Sequence, residues 1–207
     1  MDEVFGLDCA DLARIREELT KQGVENMSVA ANEARILQFF IRGFGVKRVV
    51  EFGTLFGYST IAMAQALPTD GVIVTLEKNP TNFELAQKNF ASLAVGKKVK
   101  AFCGDATETM QTVAQHAPFD MAFIDANKGG YVDYLNWAEA NVRQGGLIIG
   151  DNTFLFGALW NESRGREIGA GQVRVMKEFN SRLADPAKYN SIMVPTHEGM
   201  TVAQKLF

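Results

Sequence analysis

Acidic and amide side chains follow two apolar runs of the sequence, and their types suggest a metal site. Asp125 follows the run Phe119–Ile124, and Asp151 and Asn152 follow the run at 147–149. Two carboxylates and an amide oxygen are hard ligands, which suit Mg²⁺, or Mn²⁺ or Ca²⁺, better than zinc. We therefore predict that these three side chains bind one divalent cation. The alternative is that they cap a helix and a turn.

Lys128 is the candidate for proton transfer, because it follows Asp125 closely in the chain. A lysine near a cation and a substrate hydroxyl could remove the hydroxyl proton. The alternative is an ordinary surface lysine in a loop. Three aromatic residues, Phe154, Phe156 and Trp160, come after Asn152. They could form the wall of an aromatic substrate pocket, or they could pack in a subunit interface.

A second group of residues indicates a nucleoside site. Gly53 and Gly57 follow a short β-rich run, and glycines let a ligand approach the backbone at the start of a helix. Glu51 beside them would repel a pyrophosphate but suits a cationic amine, such as the amino-acid end of S-adenosylmethionine. Glu77 follows the next apolar run and could bind two ribose hydroxyls. Each residue alone also fits a plain strand–helix turn or a solvated carboxylate.

The elements that carry these residues alternate between strand and helix. Such alternation requires a parallel sheet with right-handed crossovers and helices on both faces. Ligands bind beyond the carboxyl ends of the strands in such sheets. Two further runs near 191–194 and 200–204 predict an antiparallel hairpin, which gives an α/β fold with a mostly parallel seven-stranded sheet. The five strands before the hairpin are predicted at 48–52, 72–76, 98–103, 119–124 and 147–149.

Two predicted helices precede the sheet. Leu12, Ile15 and Leu19 recur at helical spacing, and a second helix is predicted from about 29 to 42. We predict a single domain in three parts. These are the N-terminal helices (1–45), a nucleoside- and metal-binding core (46–152), and a substrate loop, helix and hairpin (153–207).

The composition of the 207 residues is that of a globular protein, with 47% hydrophobic and 22% charged residues. The net charge of −3 provides no basic field for a nucleic acid backbone. The two cysteines, Cys9 and Cys103, form no metal-binding pair, and we expect Cys103 to be a buried thiol. The acidic N-terminus does not resemble a signal peptide, and no long apolar stretch predicts a membrane span. We therefore expect a cytoplasmic protein.

The sequence resembles the catechol and caffeoyl-CoA O-methyltransferase family, in its small bacterial form, from about Met27 to the C-terminus. The resemblance rests on six segments in combination: 27–29, 50–59, 77–80, 104–106, 119–128 and 145–152. It implies a Rossmann-like methyltransferase fold, S-adenosylmethionine as methyl donor with S-adenosylhomocysteine as product, Mg²⁺ as metal, and a homodimer.

The resemblance also implies a role for individual residues. Asp125, Asp151 and Asn152 match the metal triad, and Lys128 matches the lysine that acts as general base. Two departures concern the substrate: Asn127 stands where plant enzymes usually have aspartate, and no glutamate near Ile192 matches the animal residue that receives the second catechol hydroxyl. The residues implied to contact or border the donor are Val29, Glu51, Gly53, Thr54, Tyr58, Ser59, Glu77, Asp105, Ala106 and Asp125.

The predicted function is methyl transfer to a hydroxyl of a small, catechol-like aromatic substrate. One alternative acceptor is a hydroxylated nucleoside in tRNA. A nicotinamide-dependent oxidoreductase would share the sheet and Glu77, but the sequence has no GxGxxG at the first loop, and Glu51 disfavours a pyrophosphate. A non-catalytic binding module is the last alternative, and the combination of the metal set with Lys128 argues against it.

Overall fold

The computed structural model describes residues 8–160, 162 and 167–207. The start of the predicted N-terminal segment and part of the predicted substrate loop lie outside these residues. The chain divides into two compact units, Met1–Thr109 and Met110–Phe207. In the described ranges, no helix combines the length and the apolar character needed to cross a bilayer.

The first unit contains the elements that carry the predicted nucleoside site. Among the described residues of this unit, two α-helices come before the first strand, and each of the three strands is followed by an α-helix. In chain order the elements are α1 (Ala10–Lys21), α2 (Ala31–Gly43), β1 (Arg48–Phe52), α3 (Tyr58–Ala66), β2 (Val72–Glu77), α4 (Pro80–Ala91), β3 (Val99–Cys103) and the start of α5 (Ala106–Val113).

The second unit contains the elements that carry the predicted metal site and the C-terminal hairpin. In chain order they are β4 (Phe119–Ile124), α6 (Tyr131–Asn141), β5 (Val142–Gly150), α7 (Ala170–Leu183), β6 (Tyr189–Val194) and β7 (Met200–Lys205). A short 3₁₀ turn at Lys128–Gly130 leads directly into α6.

The strands form a seven-stranded sheet in the order β3-β2-β1-β4-β5-β7-β6. The pairs β1–β2, β2–β3 and β4–β5 are parallel, whereas β7 runs antiparallel to both β5 and β6. The predicted mostly parallel sheet with a C-terminal antiparallel hairpin is therefore confirmed. The buried stretches of the central strands are mostly apolar because both of their faces are covered.

Local sequence signals account for where several helices begin and pack. Leu12, Ile15 and Leu19 are all buried, so the predicted apolar stripe of α1 is confirmed. The Asn79 side chain accepts hydrogen bonds from the backbone amides of Thr81 and Asn82, and Pro80 takes the first position of α4. This is the cap that the Asn-Pro pair predicts, because proline fixes a helical φ at a position that needs no amide donor.

Two predictions about local structure were wrong. The fifth strand was predicted at 147–149, but β5 runs from Val142 to Gly150, so Gly145 and Gly146 lie inside it, next to a register shift between β4 and β5. A Cβ on Gly146 would lie 2.7 Å from the carbonyl oxygen of Asp120, so glycine is needed for the close approach of the two strands. Cys103 is exposed, not buried, because β3 is at one edge of the sheet and only part of its surface is covered.

Two lysine side chains complete the C-terminal ends of helices. Lys98 Nζ donates to the carbonyl oxygens of Ala64 and Leu67 at the end of α3, at 3.0 and 2.7 Å. Lys205 Nζ donates to the carbonyl oxygens of Glu139, in the last turn of α6, and of Val142, directly after it, at 2.6 and 2.9 Å. The last carbonyls of a helix have no intrahelical partner and carry partial negative charge, so an ammonium group stabilises both ends.

Candidate active site

Of the residues predicted to bind the methyl donor, Glu51 is the most enclosed. It lies in β1 with no exposed surface. Its carboxylate accepts hydrogen bonds from the hydroxyl groups of Ser59 (2.5 Å), Thr75 (2.7 Å) and Thr60. Three hydroxyl groups thus hold a buried carboxylate in one orientation, and a carboxylate suits recognition of a cationic amine. The predicted contact between Glu51 and the donor stays a prediction.

The loop after β1 has the conformation that its glycines permit. Gly53 and Gly57 have φ of 101° and 86°, in a region that favours glycine. A Cβ on Gly57 would lie 2.4 Å from the ring of Phe90, so a larger residue would also clash. Leu55 between them has φ 51°, which is uncommon for a branched side chain. Its backbone amide donates to Glu77 Oε2 at 2.8 Å, which ties the tip of the loop to the end of β2.

Glu77 is buried and takes part in the local structure, and its ribose contact stays a prediction. Its Oε1 accepts from the backbone amide of Asn79 at 2.8 Å, and its Oε2 accepts from Leu55. Each carboxylate oxygen accepts more than one hydrogen bond, so these contacts leave capacity for a sugar hydroxyl. A solvated strand-end carboxylate, the alternative from the sequence, does not describe this residue, because only 8% of its surface is exposed.

Tyr58 and Asp105 point toward other protein groups. The hydroxyl of Tyr58 hydrogen-bonds Asp8, and the Arg16 guanidinium lies 4.2 Å from the centre of its ring. Burial raises the pKa of Tyr58, and the bond to Asp8 adds to this effect. Asp105 pairs with Lys78 at 2.8 Å and accepts from Thr107 at the start of α5. The hydrogen bond from Lys78 is the main reason why the pKa of Asp105 is lowered.

The first unit also carries the remaining residues that are predicted to bind the methyl donor. Val29 is buried just before α2, and Thr54 is buried with its hydroxyl 2.6 Å from that of Thr75. Gly53 donates its amide to the Leu76 carbonyl of β2 at 3.0 Å. Ala106 begins α5. The sequence interpretation did not identify Thr60 or Thr75. For Thr75 the available signal was a threonine inside the otherwise apolar run of β2.

The strand register of the second unit brings the predicted metal residues together. Ile124, the last residue of β4, pairs with Gly150, the last residue of β5. Asp125 and Asp151 therefore follow paired positions, and the Asp151 amide donates to the Ile124 carbonyl at 3.0 Å. Asn152 comes next with φ 51°, a left-handed conformation that asparagine tolerates better than most residues.

The chemistry of this donor set fits a hard cation. Carboxylate and amide oxygens are typical ligands of Mg²⁺, and a metal held by three protein groups keeps positions for water or substrate. Asp151 is almost fully buried, with 2% of its surface exposed, whereas Asp125 and Asn152 are partly exposed. The described part of the chain has no cluster of three or more His, Cys, Asp or Glu with metal-binding geometry, and this set contains only two such residues with one amide.

Lys128 lies beside Asp125, as the predicted role as base requires. Its Nζ is 3.1 Å from Asp125 Oδ1, and only 13% of its side chain is exposed. A plain surface lysine, the alternative from the sequence, does not describe this residue. Asn127 accepts a hydrogen bond from the Gly129 amide at 3.2 Å and caps the 3₁₀ turn that carries Lys128. Asn127, which departs from the aspartate of the plant enzymes, therefore has a structural role in this turn.

Tyr131 is the residue of this cluster that the sequence interpretation missed. Its hydroxyl lies 2.6 Å from Lys128 Nζ, 3.0 Å from the Ile124 carbonyl and 2.8 Å from the Asp151 carbonyl. The side chain is fully buried, which raises the pKa of Tyr131 well above its usual value. The available signal was its position three residues after Lys128, one helical turn along the chain.

The aromatic residues after Asn152 are held by the hairpin of the second unit. Phe154 and Trp160 stack edge to face with ring centres 5.2 Å apart. The Phe154 amide donates to the Glu198 carbonyl at 2.8 Å, and its ring packs against the backbone of Gly199. Trp160 remains 57% exposed. A half-buried Phe154 stacked on an exposed Trp160 does not separate the two predicted alternatives, a substrate wall and a subunit interface.

Comparison with known proteins gives the family. A family model described as O-methyltransferase matches residues 5–206. The chain is 32% identical to a catechol O-methyltransferase of Niastella koreensis, over 98% of this chain and 93% of that protein. It is 31% identical to caffeoyl-CoA O-methyltransferase 2 of Zea mays, over 98% of this chain and 79% of that protein.

A solved structure supports the same assignment. The O-methyltransferase TomG of Streptomyces achromogenes, which is involved in tomaymycin synthesis and was solved in complex with SAM, superposes with a TM-score of 0.84 at 28% identity. The match covers 97% of this chain and 91% of that one. With the strand order, the enclosed Glu51 and the lysine beside the paired strand ends, these matches show that the chain belongs to the O-methyltransferase family.

Proposed function

We propose that this protein transfers a methyl group from S-adenosylmethionine to a hydroxyl of a small, catechol-like aromatic substrate. The observation that carries the proposal is the position of Lys128 Nζ, 3.1 Å from Asp125, in a chain of the O-methyltransferase family. The named relatives that act on catechol and on caffeoyl-CoA favour an aromatic acceptor, and the structure solved with SAM favours that donor.

Each group of residues has a defined part in the proposed reaction. Glu51 faces the donor's ammonium with a carboxylate held by hydroxyl groups, and Glu77 binds the ribose. Asp125, Asp151 and Asn152 would hold Mg²⁺, which when bound supplies positive charge that favours ionisation of an acceptor hydroxyl. Lys128 takes the proton from the acceptor, whose oxygen then attacks the sulfonium methyl and releases S-adenosylhomocysteine. The sulfonium makes the methyl reactive, so the protein mainly aligns the reactants.

Metal removal tests the proposal directly. We expect release of S-adenosylhomocysteine with catechol to stop in EDTA and to return when Mg²⁺ is added in excess. Asp125→Ala should lose turnover but retain the thermal unfolding midpoint within a few degrees. Full activity of the metal-free enzyme would contradict the metal part of the proposal.

The donor and the acceptor are tested separately. Calorimetric titration should detect binding of S-adenosylhomocysteine and none of NAD. The acceptor screen compares catechols, flavonoids and caffeoyl thioesters with bulk tRNA, each with and without Mg²⁺. Methylation of tRNA alone would contradict the small aromatic acceptor while leaving the methyl donor and the metal in place.

A further inference from the structure

A single buried hydroxyl connects the proposed base to the ends of two strands. Tyr131 is the first residue of α6, and its ring packs edge to face against Phe179, with ring centres 5.1 Å apart. Its hydroxyl is within hydrogen-bond distance of Lys128 Nζ and of the carbonyl oxygens of Ile124 and Asp151. These two carbonyls belong to the residue before Asp125 and to Asp151 itself.

Donor and acceptor chemistry fixes the direction of these bonds. Lys128 Nζ carries N–H groups both as an ammonium and as the neutral amine that the proposed base requires, and the Tyr131 oxygen accepts the 2.6 Å bond from one of them. A backbone carbonyl only accepts, so the single hydroxyl proton of Tyr131 is shared between the carbonyls of Ile124 and Asp151. The lone pairs of the hydroxyl therefore face the lysine.

We propose that Tyr131 is a positioning residue that holds the Lys128 amine beside Asp125. The proposal rests on the proposed function, in which Lys128 takes the acceptor proton. A lysine side chain carries about 2 kcal/mol of rotamer entropy. Asp125 contacts the amine at 3.1 Å, and Tyr131 provides the second fixed contact at 2.6 Å. Two contacts restrict the Lys128 side chain to fewer rotamers than one contact would, and so fix the position of its amine.

Removal of the hydroxyl should therefore slow proton transfer more than binding. Tyr131→Phe keeps the ring and its packing against Phe179. We expect kcat with catechol to fall about 10–100-fold, the range that small misplacements of a reacting group produce. The KM for S-adenosylmethionine should change less than about twofold, because the hydrogen bonds of the Tyr131 hydroxyl go to Lys128 and to two backbone carbonyls.

The decisive experiment is a double-mutant cycle with acceptors of graded acidity. The four proteins are the wild type, Tyr131→Phe, Lys128→Met and the double variant. Lys128→Met should lower kcat about 10²–10⁴-fold. We expect Tyr131→Phe to add little in the Lys128→Met background, because the two residues act as one unit. The Tyr131→Phe defect should also shrink with nitrocatechol, which is ionised without help from a base.

Controls separate positioning from a general structural effect. Tyr134→Phe removes a buried hydroxyl from the same helix and should leave kcat within about twofold of the wild type. 4-Aminophenylalanine at position 131 donates to both carbonyls but accepts poorly from lysine. It should therefore retain the thermal midpoint while reproducing the loss of kcat, and this variant keeps the test available if Tyr131→Phe does not fold. Binding of S-adenosylhomocysteine by calorimetry provides a readout that is independent of turnover.

The outcomes distinguish the two proposals. If Lys128→Met keeps the wild-type kcat, Lys128 is not the base and the proposed mechanism fails together with this inference. If Lys128→Met is impaired but Tyr131→Phe is not, only the positioning role is overturned. Fully additive losses in the cycle, or a Tyr131→Phe defect that is the same for catechol and nitrocatechol, would overturn it as well.

Discussion

The Ser59 hydroxyl donates a 2.5 Å hydrogen bond to Glu51, and the two residues lie on consecutive elements, β1 and α3. Thr60 on α3 and Thr75 on β2 also donate hydrogen bonds to the carboxylate. The carboxyl group lies at a position with no exposed surface. Burial of such a group is costly unless hydrogen bonds compensate it, so the three hydroxyls help to stabilise it.

The first prediction concerns the charge on Glu51. Glu51→Gln keeps the size of the side chain and removes the charge that is proposed to face the donor's ammonium. A hydrogen bond to a charged partner contributes about 1.5–3 kcal/mol. We therefore expect the Kd for S-adenosylhomocysteine to rise about 10–100-fold by calorimetry. Glu84→Gln, on the exposed face of α4, is the matched control, and an unchanged Kd for Glu51→Gln would rule out the charge contact.

The second prediction separates two roles of Asn152. Its left-handed backbone favours glycine over alanine, whereas its proposed ligand role needs the amide. Asn152→Gly and Asn152→Ala should both raise the Mg²⁺ concentration for half-maximal activity, by about tenfold or more for the loss of one ligand. Only Asn152→Ala should also lose stability, by about 1–2 kcal/mol in urea unfolding without metal. Equal stability of the two variants would show that the backbone conformation is not strained.

The third prediction concerns alkaline pH. The Tyr189 hydroxyl donates to Glu139 at 2.5 Å, and burial followed by this bond raises the pKa of Tyr189 above its ordinary value. In the unfolded chain a tyrosine loses its proton near pH 10, which is a lower pH than Tyr189 requires in the folded protein. The stabilisation from this group is thus complete below about pH 10 and is lost as pH rises toward the folded pKa.

Urea unfolding at two pH values tests this prediction. Tyr189→Phe should be less stable than the wild type at pH 8, by about 1–2 kcal/mol for the lost bond to a carboxylate. The decrease in the free energy of unfolding between pH 8 and pH 11 should be smaller in the variant than in the wild type. A variant with the same or a steeper alkaline decrease would contradict the assignment.

The fourth prediction concerns the end of α6. Lys205→Met removes an ammonium that donates to two backbone carbonyls and is itself 7% exposed. One buried and one part-buried carbonyl lose their donor, which costs about 1–3 kcal/mol in unfolding free energy. Lys188→Met at an exposed position is the matched control and should change stability by less than about 0.5 kcal/mol. Equal stability of both variants would remove the capping role.

The order of strands and helices could be predicted because periodicity and apolar runs are local properties of the sequence. The site could be predicted in part for the same reason: Glu77, Asp125 and Asp151 each come at or directly after the end of an apolar strand. The register that places Asp125 beside Asp151 depends on the pairing of β4 with β5, which no local pattern specifies. The predicted homodimer and the acceptor stay predictions.

One physical reason explains why the sequence did not reveal the roles of several residues. Tyr131 and Thr75 act through contacts between elements, and their types are common in buried structure for other reasons. Cys103 was wrongly expected to be buried because an apolar run does not reveal whether its strand is at the edge of the sheet. Burial and hydrogen bonding depend on neighbours distant in the chain, so the sequence alone could not assign these three.

The two lysines at the ends of α3 and α6 give this protein an internal reporter of local opening. An acylating reagent requires an accessible amine, and the amines of Lys98 and Lys205 are engaged by carbonyls. Mass spectrometry after brief acetic anhydride treatment should find both lysines labelled far more slowly than the exposed Lys88. The denaturant concentration at which each lysine becomes reactive reports the fraying of its own helix end. Comparison with the midpoint of global unfolding shows whether that end opens earlier or together with the whole protein.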